Sequence, residues 1–210
     1  MPLITKRESL SGSVIGVWHI TETVEYLTDA AGLNAVENKH YSKFRPELRR
    51  KHWLSYRLLL NTLLGKKHEV LYDEHGKPFL KGNRSYISVS HSGDFSAVII
   101  NKKIPVGIDI EKITPRIEKV YDKFMNGEEI NGIPAEYRLE YMYVYWCAKE
   151  ALYKMHGKGN LDFCKEMMIE PFIYKSVGSL NATLISEEVA GKHVLFYEKT
   201  DDYMLVYTQL

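Results

Sequence analysis

The chain has 210 residues, of which 45% are hydrophobic, and it carries 28 Lys and Arg against 27 Asp and Glu. That length and composition allow a substantial core in one domain or two small halves. The near-balanced charge gives no reason to expect nucleic acid or an anionic membrane surface as main partner. No uninterrupted apolar run is long enough to cross a bilayer.

The N-terminal residues around Lys6, Arg7 and Glu8 lack the apolar core of a signal peptide and read as a loose start. Cys147 and Cys164 are the only cysteines, and their spacing fits neither metal nor redox motifs. Reduced thiols in the cytoplasm are therefore expected. Residues 14–20 read as a buried strand and residues 21–29 as a short helix. A long helix is predicted over residues 44–64, with Pro46 near its start and Gly65 as its stop. Its early charges, Arg49, Arg50, Lys51 and His52, read as a solvated basic face. Arg57 differs because it abuts Leu58-Leu59-Leu60, and a partly buried guanidinium needs an anionic partner.

Two short extended segments follow, residues 69–72 and 77–80, around a turn at Asp73-Glu74-His75-Gly76. Pro78 biases Lys77 towards an extended shape and so holds it on a stiff segment. Residues 86–90 and 95–100 are β-rich runs that read as a hairpin turning at Gly93-Asp94. His91 sits at the turn end, flanked by Ser90 and Ser92. Such a histidine is most often a surface residue, but the three together make a cluster of short donors suited to phosphate oxygens.

The run Val106-Gly107-Ile108-Asp109-Ile110-Glu111 has the alternation of a strand, where residues two apart share a face. Asp109 and Glu111 then point one way while Ile108 and Ile110 enter the core. Paired carboxylates of this kind suit a hard divalent ion such as Mg²⁺, although a solvated acidic face would look the same. Residues 112–135 read as a surface excursion of short helical pieces between Pro115 and Pro134. A second long helix is predicted over residues 136–156, stopped by Gly157. On it Trp146, Glu150 and Lys154 form a stripe at four-residue steps, with Lys149 displaced by one step. Strands are predicted at residues 167–169, 179–185, 194–197 and 204–207. The order strand, long helix, strands thus occurs about twice, which predicts an α+β fold of two similar halves, residues 1–102 and 103–210.

Four segments occur in one order: Gly76-Lys77-Pro78, Ser88-Val89-Ser90-His91-Ser92, Gly107-Ile108-Asp109-Ile110-Glu111, and Trp146-Cys147-Ala148-Lys149-Glu150-Ala151-Leu152-Tyr153-Lys154. The set closely resembles the 4′-phosphopantetheinyl transferase superfamily in its longer, monomeric form, the kind that activates surfactin synthetase. The resemblance implies two pseudo-symmetric halves, each a small antiparallel sheet on a long helix, with coenzyme A in the cleft between them. It implies transfer of the 4′-phosphopantetheine arm to a serine of an apo acyl or peptidyl carrier protein, releasing 3′,5′-ADP.

On that resemblance Asp109, Glu111 and Glu150 supply three carboxylates to one Mg²⁺, or Mn²⁺, beside the pyrophosphate. Glu150, directly or through a metal-bound water, is the candidate base for the serine hydroxyl, and Lys154 stabilises the pyrophosphate and can protonate the leaving group. Ser90 and His91 contact phosphates, Lys77 and Pro78 line the nucleotide end, Arg57 binds the 3′-phosphate, and Lys149 faces the coenzyme. The spacing upstream of Arg57 departs from the family pattern, so no role passes to Lys39, Arg45 or Arg49. Ser88 stands where the family often has Asn. Residues 112–135 correspond to the region that helps receive the carrier protein.

Two alternatives use the same residues. A metal-dependent nuclease would place its Glu and Lys two apart on one strand, whereas Glu150 and Lys154 lie one helical turn apart, and the near-neutral charge also argues against it. A non-catalytic relative that binds coenzyme A or a carrier protein would be expected to lack one of the acids or the lysine, and none is missing here.

Overall fold

The computed structural model describes residues 3–9, 11–185, 190–200 and 203–209. Strands β1 (Leu3–Glu8), β2 (Val14–His19), β5 (Tyr86–Ser92) and β6 (Phe95–Asn101) form an antiparallel sheet in the order β1-β2-β6-β5. The loose start expected at the N-terminus is in fact β1. Its mixed polar sequence hides the strand because the fixing contacts are distant, the register with β2 and an Arg7–Glu198 ion pair at 2.6 Å.

Helix α3 (Glu47–Leu64) lies on this sheet and ends at Gly65, whose φ of 72° is the left-handed conformation of a helix stop. Helix α1 (Val24–Ala31) packs on α3 and starts where the Thr23 hydroxyl accepts from Tyr26 N. A further helix, α2 (Ala35–Tyr41), begins at a capping box in which Asn34 and Glu37 bond each other's backbone N–H. The sequence reading passed over it. Strands β3 (Val70–Tyr72) and β4 (Pro78–Leu80) form a separate two-stranded ribbon.

The second sheet has the order β7-β11-β10-β9-β8 and is antiparallel throughout. Its strands are β7 (Ile108–Lys112), β8 (Met167–Ile169), β9 (Val177–Ile185), β10 (Ala190–Lys199) and β11 (Tyr203–Gln209). Between β7 and β8 come two 3-10 turns, the short helix α4 (Gly127–Gly132) and the long helix α5 (Arg138–His156), which packs on β7 and β11. The fold is therefore α+β with antiparallel sheets.

Period-two alternation sorts the strand residues into layers. Val98 and Ile100 of β6 join Leu59 and Leu60 of α3 in one apolar cluster. Ala97 and Ile99 turn the other way, into a cluster with Ile108, Ile110 and Leu205 that the two sheets share. Met204 and Val206 of β11 meet Ala148, Ala151 and Leu152 of α5 in a third. Gly107 is required for that last packing, since a Cβ there would sit 1.8 Å from the Ala151 carbonyl oxygen. No helix among the described residues is long and apolar enough to cross a membrane.

Candidate active site

The site lies where β5 runs beside β7. Ser88, Ser90 and Ser92 alternate along β5, so their hydroxyls share one face and stand in for a backbone ladder between the two strands. Ser88 Oγ accepts from Ile108 N at 3.2 Å, Ser90 Oγ donates to Asp109 Oδ1 at 2.7 Å, and Ser92 Oγ accepts from Lys112 N at 3.1 Å. Ser92 Oγ also donates to Glu111 Oε2. This seam fixes both acids of β7 on the face opposite Ile108 and Ile110.

Helix α5 brings Trp146, Glu150 and Lys154 to the same place, and these three with Ser90, His91, Asp109 and Glu111 line one cavity of about 480 Å³. Lys154 Nζ donates to Asp109 Oδ1 at 2.6 Å and to Ser90 Oγ at 2.9 Å. Asp109 is only 2% exposed, and its second oxygen, Oδ2, is buried without a hydrogen-bond partner among the described residues. Trp146 Nε1 donates to Glu111 Oε1 at 3.3 Å.

Burial raises the Glu111 carboxyl above its ordinary value, and the neighbouring Asp109 adds to the rise. Burial and the charge of Asp109 together push Glu150 up to about 7, with Lys154 opposing. Burial works against the Lys154 ammonium, but the attraction of Asp109 and Glu150 outweighs it and the group is held above its ordinary value. Negative charge thus exceeds what Lys154 alone neutralises. As placed, no three His, Cys, Asp or Glu side chains among the described residues are gathered closely enough to hold a metal ion. The orphaned Asp109 Oδ2 and the carboxyls forced towards protonation are nevertheless the donor chemistry that a hard divalent cation takes.

Other residues singled out from the sequence are divided between cavity and scaffold. His91 stacks on His52, with ring centroids 4.2 Å apart; its residue surface stays open to solvent, and partial desolvation by the surrounding protein, then the charges of His52 and Lys154, push it down to about 4. His52 is itself anchored to the Gly93 carbonyl oxygen at 2.7 Å. Lys77 and Pro78 line a smaller cavity of about 210 Å³ that shares Val89 and Lys154 with the first, and Lys77 Nζ donates to the Met155 carbonyl at the end of α5 at 2.7 Å.

Two placements correct the sequence reading. Arg57 does not reach the cavity: it is 4% exposed, lies 3.4 Å from the Trp53 ring centroid, and faces Glu37 at 3.8 Å. The anionic partner expected for it is thus a carboxylate of α2. Its guanidinium donates to the Tyr56 hydroxyl, and Tyr56 and Tyr72 line the cavity in its place. Lys149 does not line this cavity. One residue turns a helix by about 100°, and this side chain is wholly buried at 2.6 Å from Glu129 Oε2.

Residues that the sequence reading left without a role, Arg49, His40 and Phe44, also line the cavity. The spacing of Arg49 from Trp53 and Tyr56, at four and seven residues, was the available signal that they share one helical face.

Fold and site together define an α+β protein with an acid-and-lysine cleft at the seam between two antiparallel sheets. Residues 105–207, which carry β7, α5 and most of the second sheet, match the 4′-phosphopantetheinyl transferase superfamily, and over that span the chain is similar to its members. It is 36% identical over 115 residues to the 4′-phosphopantetheinyl transferase AcpT of Escherichia coli (strain K12), covering 52% of this chain and 59% of the relative. It is 32% identical over 90 residues to a 4′-phosphopantetheinyl transferase of Bacillus subtilis, covering 41% of this chain and 40% of that one. A third similar protein, a putative 4′-phosphopantetheinyl transferase of Haemophilus influenzae, is 34% identical over 122 residues, 51% of this chain and 49% of its own. The matched segments therefore span about two fifths to three fifths of each relative's length.

Proposed function

We propose that this protein transfers the 4′-phosphopantetheine group of coenzyme A to a serine of an apo acyl or peptidyl carrier protein, releasing 3′,5′-ADP. The observation that carries this reading is the convergence of Asp109, Glu111, Glu150 and Lys154 on one cavity with Ser90 and His91. In the reaction the carrier serine Oγ forms a bond to the phosphorus that bears the pantetheine arm, and the bond from that phosphorus to the bridging oxygen of 3′,5′-ADP breaks. Glu150, directly or through a metal-bound water, lines the cavity as the group that takes the hydroxyl proton. Lys154, charged and fixed on Asp109, faces the pyrophosphate and the charge that develops on the departing oxygen. Ser90 and His91 supply further donors.

Asp109, Glu111 and Glu150 would hold Mg²⁺ or Mn²⁺, which when bound neutralises pyrophosphate charge as a Lewis acid. Lys77 and Pro78 are assigned to the nucleotide end. Arg49 takes over the 3′-phosphate role first given to Arg57, because it is the arginine among the residues that line the cavity. We further propose a cytoplasmic monomer organised as halves 1–102 and 103–210. The unpaired thiols of Cys147 and Cys164 fit a reducing compartment.

The test is release of 3′,5′-ADP, measured chromatographically, on mixing the protein with coenzyme A, Mg²⁺ and an apo carrier protein. Wild type should release one nucleotide per carrier modified, and Asp109→Asn and Lys154→Met none. Coenzyme A binding without release would instead identify a non-catalytic relative.

A further inference from the structure

Lys149 is the only buried lysine among the described residues, and each of its three protons is committed. Nζ donates to Glu129 Oε2 at 2.6 Å, to the Phe124 carbonyl at 2.8 Å and to the Phe163 carbonyl at 2.9 Å. Glu129 is committed as well: Oε2 also accepts from Asn126 N at 3.0 Å, and Oε1 accepts from Ile169 N at 3.1 Å. One ion pair therefore ties α5 to three separate backbone segments.

Both residues whose carbonyls Lys149 holds place their rings on Trp146. The Phe124 ring meets it edge-on with centroids 5.0 Å apart, and the Phe163 ring lies 5.8 Å away. Trp146 in turn donates its indole N–H to Glu111 Oε1 at 3.3 Å. We infer that the buried Lys149–Glu129 pair is a positioning device, which clamps Phe124 and Phe163 about Trp146 and so aims the Trp146 N–H at Glu111. The inference rests on the reading of Glu111 as a cation ligand. Net stability does not account for the arrangement, because a buried ion pair contributes little or nothing over a well-packed apolar pair. Its directed bonds fix backbone points that apolar side chains cannot.

The discriminating protein is the full chain with Lys149→Met and Glu129→Met together, compared with Trp146→Phe and with all three changes combined. Urea unfolding and Mn²⁺ affinity, from the paramagnetic resonance signal of the free ion, are measured on each, and the ¹⁵N–¹H resonance of the Trp146 indole on wild type and the paired variant. The paired variant should fold with a shifted Trp146 indole resonance and bind Mn²⁺ about 10-fold more weakly, the usual size for a lost supporting hydrogen bond around a metal ligand. Trp146→Phe should lose a similar factor, and the triple variant should lose no more than either. Should the paired variant not fold, Glu129→Gln takes its place with the same readouts. A folded variant with an unmoved indole resonance and wild-type Mn²⁺ affinity overturns the inference, as does a triple variant whose losses multiply. Wild type binding Mn²⁺ no better than Asp109→Asn overturns the cation reading instead, and the indole resonance still decides whether the clamp exists.

Discussion

Replacing Glu150 with glutamine should stabilise the folded protein above pH 7 in metal-free solution. The Glu150 carboxyl is pushed from its ordinary 4.5 to about 7, first by burial and then by Asp109. Below pH 4.5 it is protonated in folded and unfolded chains alike and contributes nothing. Between those values the unfolded chain loses its proton first, so stability falls as pH rises, and above about 7 the folded state carries the full penalty. At about 1.4 kcal/mol per pH unit the penalty is at most ~3.4 kcal/mol, and solvent screening at a half-buried group reduces it to about 1–2 kcal/mol. Urea unfolding with a chelator present, from pH 5 to 8.5, should show wild type and Glu150→Gln converging at the acid end. Towards the alkaline end they should diverge in favour of the variant. Adding Mg²⁺ should stabilise wild type selectively, because on the proposed assignment the cation would bind the ionised carboxylates. A stability difference that is flat with pH, or a variant less stable throughout, would refute the picture of crowded carboxylates.

Gly107→Ala should cost about 3 kcal/mol or more in unfolding free energy, because the new Cβ meets the Ala151 carbonyl at 1.8 Å; a melting temperature within a degree of wild type would contradict the close approach of β7 and α5. Arg57→Met leaves buried Glu37 with only the more exposed Lys67, 3.9 Å away, as cation and should destabilise by up to about 3 kcal/mol, the lower end for a broken buried pair. Glu37→Gln combined with it should recover part of that loss, and coenzyme A affinity should fall less than stability. Arg49→Ala should raise the KM for coenzyme A about 10-fold with kcat nearly unchanged, the expectation for a lost charge-assisted phosphate contact. Steady-state kinetics with dephospho-coenzyme A, which the variant and wild type should then use alike, checks the assignment.

What the sequence made legible follows from local periodicity. The alternation of Ile108, Asp109, Ile110 and Glu111 put the acids on one face, and the structure buries the two isoleucines and lines the cavity with the two acids. The four-residue stripe Trp146, Glu150, Lys154 likewise faces one cavity. What was illegible depended on partners far along the chain. Lys149 differs from Glu150 by one helical step, and only Glu129, within the stretch read as a surface excursion, decides that it is buried. The need of Arg57 for an anion was readable, but its partner Glu37 lies on α2, a helix whose polar sequence gave little periodic signal. The alternating serines of β5 could be seen, yet their use as a seam requires knowing that β7 is their neighbour.

The central claim is group transfer from coenzyme A, and intact-mass spectrometry of an apo carrier protein tests it most directly. Incubation with this protein, coenzyme A and Mg²⁺ should add one phosphopantetheine, roughly 340 Da from the chemistry of the coenzyme, to each carrier. Chelator or Asp109→Asn should abolish the gain. Carriers from fatty-acid, polyketide and peptide synthases that all keep their apo mass, while coenzyme A still binds, would contradict the account.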